Sequence, residues 1–142
     1  MIPEKRFNIR VYGIVINDAN ELLIAHENRN GFEMTKLPGG GLEWGEGLID
    51  GLKREFIEEL NWLIEIETLF YLTDYFQPSS LDPNDQVLSI YYKVRRVGEY
   101  QGEKTINPLE VIQFEWKPIH DLCVDSFTFP IDRIVIDMLK QN

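Results

Sequence analysis

Residues 40–62 read GGLEWGEGLIDGLKREFIEELNW, and this stretch decides the fold. Between Leu48 and Leu60 the apolar residues recur with the 3.6-residue period of an amphipathic helix. The positions on this apolar stripe are Ile49, Leu52, Phe56 and Leu60. Before the helix, residues 38–47 (PGGGLEWGEG) contain too many glycines for a regular element. The sequence therefore predicts a glycine-rich loop that leads into a helix over residues 48–60.

Three glutamates, Glu55, Glu58 and Glu59, stand close together on this predicted helix. At about 100° per residue they share one patch beside the apolar stripe, near the edge of the core. Glu55 and Glu59 are a like-charge pair four residues apart, and Arg54 relieves only part of their repulsion. The patch is either a solvated acidic face or a site for a hard divalent cation, whose preferred ligands are oxygens. Helical spacing alone leaves both interpretations open.

The ends and the middle of the helix carry residues with special backbone properties. Gly47 stands near the N-cap, and Asn61 stands where a helix often ends in a left-handed conformation. Gly51 lies inside the helix, where glycine costs about 1 kcal/mol relative to alanine. We therefore expect another part of the chain to pack closely against Gly51.

Length and composition restrict the class of protein. With 142 residues and 44% hydrophobic content, the chain is expected to form one domain over residues 1–142. The net charge of −10 argues against a partner with an anionic surface, either nucleic acid or membrane. Cys123 is the single cysteine, the N-terminal residues lack the apolar core of a signal peptide, and no apolar run approaches about 18 residues. A soluble, cytoplasmic protein is expected.

The rest of the chain reads as strands with a second helix at the end. Residues 7–16 and 21–26 are predicted to form a hairpin, and residues 28–34 (NRNGFEM) a polar loop. Further strands are predicted at residues 35–37, 62–76, 86–97 and 111–116, a helical turn at 117–122, and a closing helix that begins at Pro130. This order predicts an α/β (α+β) fold in which a mixed sheet is sandwiched between helices.

Six Gly, Glu and Arg positions in the opening stretch share a characteristic spacing. They are Gly40, Glu46, Arg54, Glu55, Glu58 and Glu59, with Phe56 and Trp62 at apolar positions. This register resembles the Nudix box, G-x5-E-x7-R-E-U-x-E-E-x-G-U, where U is apolar, and the chain is similar to MutT-like pyrophosphohydrolases. The box covers residues 40–62, and the predicted strands around it fit the order of the Nudix fold. Two departures are Asn61 in place of the late glycine and Gly47 in place of the usual Ser or Thr.

The resemblance implies an enzyme that hydrolyses a nucleoside diphosphate linked to another group, X, by attack of water on phosphorus. It implies that Glu55, Glu58 and Glu59 hold Mg²⁺ or Mn²⁺ together with the backbone carbonyl of Gly39, and that Glu46 and Arg54 support this site. It also implies that Glu110, six residues before Trp116, joins the metal site. The general base is left open between Glu110, Glu103 and a glutamate of the box.

Candidate substrate-binding residues lie on both sides of the helix. Arg10 and Lys36 are on elements that could face substrate, or are simply solvated charges, and Gly39 and Gly40 let backbone approach phosphate. The resemblance adds Tyr75, which lies in the segment where subfamilies select X. The expected partner is a small nucleoside diphosphate derivative of the nucleoside triphosphate, ADP-ribose or sugar-nucleotide class, with a homodimer possible.

Other interpretations of the sequence compete with this one. The alternative function is a non-catalytic Nudix-fold domain that binds nucleotides or sugar nucleotides, although no carboxylate of the box is missing here. Isomerisation of an isoprenoid diphosphate ranks last, because it needs a catalytic cysteine and Cys123 lies well past the box. His26 is expected to be a hydrogen-bonded structural residue, and Cys123 a small buried hydrophobe.

Overall fold

Two β-sheets lie between two helices in the computed structural model, which describes residues 4–103 and 110–141. The strands in these ranges are β1 (Arg6–Ile14), β2 (Glu21–Arg29), β3 (Phe32–Lys36), β4 (Gly39–Gly41), β5 (Trp62–Leu72), β6 (Asp85–Glu99) and β7 (Glu110–Pro118). The helices are α1 (Leu48–Leu60) and α2 (Pro130–Gln141), and two short 3-10 helices, Ile119–Asp121 and Val124–Ser126, precede α2. The predicted helix over residues 48–60 and the closing helix from Pro130 are confirmed.

The strands are divided between a four-stranded and a three-stranded sheet. The first has the order β4-β1-β6-β5 and is mixed, because β1 runs parallel to β6 and antiparallel to β4. The second has the order β3-β2-β7 and is antiparallel. The predicted α+β class with a mixed sheet between helices is confirmed.

The predicted hairpin of the first two strands is wrong beyond its turn. β1 and β2 share one isolated bridge, Ile16 with Leu22, and then enter different sheets. Each strand forms a nine-residue ladder with a distant strand, β1 with β6 and β2 with β7. Adjacent alternating strands read locally as a hairpin, but these long ladders determine the pairing.

A hydrophobic cluster lies on each side of the sheets, one under each helix. Leu52 and Phe56 of α1 are buried against Val11 and Ile90. Val135 and Ile136 of α2 pack into the second cluster, which β1 reaches with Tyr12 and Ile14. Successive side chains of a strand point to opposite faces, so β1 supplies both clusters. Burial of a Leu or Phe side chain contributes about 1.5–3 kcal/mol, which fixes the orientation of α1.

Two stretches that were predicted to be loops are regular. Gly39–Gly41 forms β4, paired with β1, and a Cβ on Gly39 would lie 2.1 Å from the carbonyl oxygen of Val11. Residues 28–34 belong to a hairpin of β2 and β3, whose turn residues Asn30 and Gly31 have φ values of 52° and 86°. Positive φ at both turn positions is typical of a two-residue type I′ turn.

The ends of α1 agree with the sequence. Asn61 ends the helix in the left-handed conformation, with φ 58° and ψ 26°. A Cβ on Gly51 would lie 2.6 Å from Leu42 and 2.9 Å from an oxygen of Glu46, so the predicted close packing at this glycine is confirmed. Within the described ranges, no helix is long and apolar enough to cross a membrane.

Candidate active site

Arg54 connects the glycine-rich loop to the middle of α1. Its Nε and Nη2 atoms donate to the two carboxylate oxygens of Glu46 at 3.0 and 2.7 Å, and Nη2 also donates to the carbonyl of Gly41 at 3.1 Å. This two-point contact lowers the pKa of the Glu46 carboxyl and raises that of Arg54. The arginine thereby fixes the loop before the helix, as expected for a supporting residue.

The same guanidinium gathers two of the predicted metal ligands. Nη1 of Arg54 lies 3.1 Å from an oxygen of Glu55 and 3.1 Å from an oxygen of Glu58. Glu55 is largely buried, and burial raises its pKa, with the negative charge of Glu58 adding to the effect. The repulsion predicted for this face is therefore partly relieved by Arg54.

Glu59 faces the glycine strand from the last turn of α1. Its Oε1 accepts a hydrogen bond from the Gly39 backbone N–H at 3.3 Å. Burial raises the pKa of the Glu59 carboxyl to about 8, and the charges of Glu55 and Glu27 add to the rise while Lys36 opposes it. At neutral pH and without a bound cation, Glu59 is mostly protonated.

Gly40 lies directly beside the carboxyl group of Glu55. A Cβ on Gly40 would lie 2.8 Å from Oε1 of Glu55, a separation that real Cβ atoms essentially never show. The Glu55 carboxyl therefore occupies the space that any larger residue at position 40 would fill. The predicted close approach of backbone to the site is present in the fold.

The donor chemistry of this face suits a hard divalent cation. Glu55 and Glu59 have raised pKa values because burial separates their charges from water, and a cation would remove that penalty. The Gly39 carbonyl lies beside them and accepts from Lys36 Nζ at 3.4 Å. Among residues 4–103 and 110–141, no three His, Cys, Asp or Glu side chains already converge as metal ligands, and Glu55 and Glu58 turn to Arg54 instead.

A buried charge cluster adjoins this face, and sequence reasoning missed its central residue. The Glu27 carboxylate lies 2.9 Å from Lys36 Nζ and 2.9 Å from Arg29 Nη2. Glu27 is 2% exposed and Lys36 is 3% exposed. The signal was available, because Glu27 takes the inward position that Leu23 and Ala25 take earlier on the same strand.

A cleft with about 630 Å³ of empty space opens next to the cluster. Its walls come from β1, β2, β3, β6, the start of α2 and the loop between β5 and β6. Arg10 and Lys36 both line the cleft, as do residues 77–81, whereas Tyr75 is not among its lining residues. The structure thus brings two of the predicted substrate residues together, and the role of Tyr75 stays a prediction.

A buried carboxyl group lies in this cleft on α2. Asp132 is 1% exposed; its Oδ1 accepts from the Tyr91 hydroxyl, and its Oδ2 has no hydrogen-bond partner within the described part of the chain. Burial raises the pKa of Asp132 to about 6, against the lowering effects of Tyr91, Lys36 and Arg10. The sequence carries a signal for it, since Asp132 stands four residues before Ile136 on the buried stripe of α2.

The predicted fifth acid is only partly described. β7 places the backbone of Glu110 opposite Arg29, but the Glu110 side chain lies outside the described residues. Glu103 is exposed, and its carbonyl accepts a hydrogen bond from Tyr100. The choice between these residues as general base therefore stays a prediction.

The structure also shows the surroundings of His26 and Cys123. The ring nitrogens of His26 lie 3.1 Å from Thr35 Oγ1 and 3.1 Å from Glu115 Oε1, which confirms a hydrogen-bonded residue. Cys123 is exposed, so the expectation that it is buried is wrong. It sits between the two short 3-10 helices, where its side chain faces outward.

Comparisons with known proteins agree with this geometry. The sequence matches the family described as NUDIX domain over residues 6–138. Similar solved structures include a NUDIX hydrolase from Nitrosomonas europaea (TM-score 0.73, 19% identity, covering 94% of this chain and 88% of that one) and a MutT protein from Methanosarcina mazei Go1 (TM-score 0.72, 21% identity, 99% and 97%). An ADP-ribose pyrophosphatase from Streptococcus suis is more distant (TM-score 0.56, 16% identity, 93% and 86%). No curated protein matches the sequence. The family match spans nearly the whole chain and includes every residue of the box, so this protein belongs to the NUDIX domain family.

Proposed function

We propose that this Nudix hydrolase is a Mg²⁺- or Mn²⁺-dependent pyrophosphohydrolase that cleaves a nucleoside diphosphate linked to a group X. The observation that carries the proposal is the set of box carboxylates on one face of α1. Glu55 and Glu58 lie 3.1 Å from Arg54, and desolvation raises the pKa of Glu55 and of Glu59 beside a strand of glycines. Such a set is unfavourable in a merely structural role, because buried like charges repel. It becomes favourable when a divalent cation binds.

Glu55, Glu58 and Glu59 would hold the cation together with the Gly39 carbonyl. When bound, such a cation neutralises phosphate charge and assists attack of water on phosphorus. Arg54 keeps Glu46 and the glycine loop in place, as its two-point contact indicates. Glycine at position 40 leaves room for the Glu55 carboxyl and for backbone to approach phosphate.

Glu110 is the proposed additional ligand and general base, as the resemblance implies. Its backbone stands opposite Arg29, which lines the cleft, so β7 begins at the edge of the proposed site. Glu110→Gln should lower turnover more than Glu103→Gln does. The reverse order would assign the base to Glu103.

The cleft on the α2 side would hold the group that distinguishes one substrate from another. Its polar groups include cations at Arg10 and Lys36 and the buried carboxyl of Asp132. Candidate substrates are nucleoside triphosphates, ADP-ribose, sugar nucleotides and dinucleoside polyphosphates, all small molecules. The composition of the chain favours a cytoplasmic enzyme, and the resemblance allows a homodimer, which sedimentation would detect.

The decisive test is a panel assay of these compounds with Mg²⁺ and with Mn²⁺, in which mass spectrometry identifies the products. The proposal expects at least one compound to be split at a phosphoanhydride bond, and expects EDTA to abolish the reaction. Tight binding of a panel compound without any product in either metal would instead support a nucleotide-binding domain. Incorporation of ¹⁸O from labelled water then shows which phosphorus is attacked.

A further inference from the structure

Arg10 lies where the glycine strand meets the cleft. In the ladder between β1 and β4 it stands opposite Gly41. A Cβ built on Gly41 would lie 3.6 Å from Nη1 of Arg10, so the absence of a side chain at position 41 leaves space beside the guanidinium. Tyr12, two residues further along β1, points to the same face and also lines the cleft.

The guanidinium is held at one end only. Its Nε donates to the Tyr12 hydroxyl at 2.6 Å, and its Cζ lies 5.7 Å from the centre of the Tyr12 ring. Among the side chains of residues 4–103 and 111–141, no carboxylate oxygen forms an ion pair with Arg10, and no atom accepts a hydrogen bond from its two Nη atoms. Arg6, Arg54 and Arg95 each contact at least one carboxylate, whereas Arg96 and Arg133 each donate to a backbone carbonyl.

This arrangement is unusual for a half-buried cation. A charged group taken partly out of water is normally paired, because desolvation without a partner is costly. Glu55 and Asp132 are near enough to influence Arg10 electrostatically, yet neither forms an ion pair with it. The other two cations that line the cleft, Lys36 and Arg29, each lie 2.9 Å from an oxygen of Glu27. Arg10 therefore presents two pairs of N–H donors to the cleft.

We propose that Arg10 forms an anion subsite. Its two Nη atoms bind oxygens of one substrate phosphate, which lies between the scissile bond and the part of the substrate held in the cleft. A planar guanidinium matches two phosphate oxygens at once, whereas an ammonium does not. Tyr12 is a positioning residue, because its hydroxyl accepts a hydrogen bond from Nε of Arg10 and leaves the two Nη atoms to face the cleft. The ligand identity rests on the proposed function, but the subsite itself stands on the geometry of Arg10.

The proposal predicts which half of the substrate is retained in the cleft as an anion. After cleavage that half is a monophosphate, so a nucleoside monophosphate or another phosphate monoester should bind without metal. The box carboxylates repel such an anion when no cation is present, and binding in EDTA therefore reports on the cleft alone. Monophosphate binding in EDTA can therefore be measured without any catalytic turnover.

The experiment is a titration of the protein in EDTA, monitored by NMR of its backbone amides. The probes are AMP, GMP, CMP and UMP, each compared with its nucleoside, and inorganic phosphate. We expect at least one monophosphate to bind about tenfold or more tightly than its nucleoside, because hydrogen bonds between a guanidinium and a phosphate are charge-assisted and therefore strong. Arg10→Gln should abolish that difference, and Tyr12→Phe should reduce it.

Two further variants make the titration decisive. Arg95→Gln removes one positive charge from an exposed pair with Glu65 and should leave the preference for monophosphate intact. Arg10→Lys keeps the positive charge but loses the planar guanidinium, so it should weaken monophosphate binding several-fold. If Arg10→Gln does not fold, Arg10→Lys serves as the test variant in its place. Equal affinity for monophosphate and nucleoside in the wild type, including no binding of either, would overturn the proposal. Full preference retained in Arg10→Lys and Arg10→Gln would do the same.

A matched pair of substrates distinguishes the bridging phosphate from an acid group on X. UDP-glucose and UDP-glucuronate differ by one carboxylate. The proposal expects Arg10→Lys to weaken both equally in competition against the best-bound monophosphate. Loss confined to UDP-glucuronate would overturn the phosphate assignment in favour of a carboxylate on X. None of these results depends on turnover, so a failure of hydrolysis is a separate finding.

Discussion

Arg54 holds both carboxylate oxygens of Glu46, at 3.0 and 2.7 Å, although eight residues separate the two in sequence. The pair closes the glycine loop onto α1 and places the Gly41 carbonyl within reach of the same guanidinium. Positions of the Glu55 and Glu58 carboxyls depend on this contact, because both also lie 3.1 Å from Arg54. Replacing the planar guanidinium of Arg54 should therefore disturb the positions of the carboxyls on this acidic face.

Arg54→Lys should lower the free energy of unfolding by about 1–3 kcal/mol, because a lysine cannot make the two parallel hydrogen bonds to Glu46. Urea unfolding followed by circular dichroism measures this change. The matched control is Arg95→Lys, whose pair with Glu65 is more than half exposed on both sides and should change stability by only about 0–0.5 kcal/mol. Equal losses in the two variants would show that the Arg54–Glu46 contact has no special weight.

The protonation of Glu59 predicts how stability depends on pH. Its pKa of about 8 in the folded protein exceeds the value of about 4.3 for an unfolded chain. Between these values the folded state binds a proton that the unfolded state does not, so the metal-free protein should lose stability as pH rises from about 4.5 to 8. Thermal unfolding in EDTA at several pH values measures this slope.

Two variants separate Glu59 from the other buried acid. Glu59→Gln should flatten the dependence of stability on pH between about pH 6 and 8. Asp132, with a pKa of about 6, has largely finished titrating over this range. Asp132→Asn should flatten only the part below about pH 6. If Glu59→Gln leaves the upper part of the slope unchanged, Glu59 is not the group that holds the proton.

Gly40 should tolerate no side chain without loss of metal affinity. Gly40→Ala places a Cβ 2.8 Å from Oε1 of Glu55 and must displace that carboxyl. We expect Mn²⁺ to bind about tenfold or more weakly, as when a metal ligand loses its supporting surroundings. Isothermal titration measures the affinity. Gly98→Ala is the control, since its Cβ would meet Leu63 at an ordinary 3.6 Å, and unchanged binding in both variants would contradict the assignment.

Asn61 should behave as a substitute for the family's late glycine. Its φ of 58° lies in the left-handed region, which asparagine and glycine tolerate better than other residues. Asn61→Gly should therefore change the free energy of unfolding by less than about 0.5 kcal/mol, and Asn61→Ala should lower it by about 1 kcal/mol. An Asn61→Ala variant as stable as the wild type in urea would disprove this role for the helix end.

The sequence predicted the box helix well because its determinants are local. The period of Leu52 and Phe56, the left-handed end at Asn61 and the close packing at Gly51 are all properties of one short segment. The spacing likewise singled out the box glutamates, whose role as metal ligands stays a prediction. The spacing predicted that Arg54 relieves part of the repulsion, but not that one nitrogen, Nη1, lies 3.1 Å from both Glu55 and Glu58.

Other features could not be read locally, or were readable and missed. The separation of β1 and β2 into two sheets depends on partners such as residues 85–93, far away in sequence. The cleft is lined by Tyr12, Tyr91 and Asp132, which come from three elements far apart in sequence, so no single segment predicts it. By contrast, the Asn30–Gly31 turn carried a clear hairpin signal, since this dipeptide favours positive φ at both positions.

The central claim is that this acidic face binds a divalent cation and hydrolyses a diphosphate. Its most direct test is phosphoanhydride hydrolysis in Mg²⁺ by Glu59→Gln beside the wild type, with the best substrate of the panel. Glu59 is mostly protonated without metal, so an amide of the same shape should preserve the fold, as circular dichroism can verify. We predict a loss of turnover by orders of magnitude in the folded variant and abolition of wild-type turnover by EDTA. Full activity of Glu59→Gln, or wild-type activity unchanged by EDTA, would contradict it.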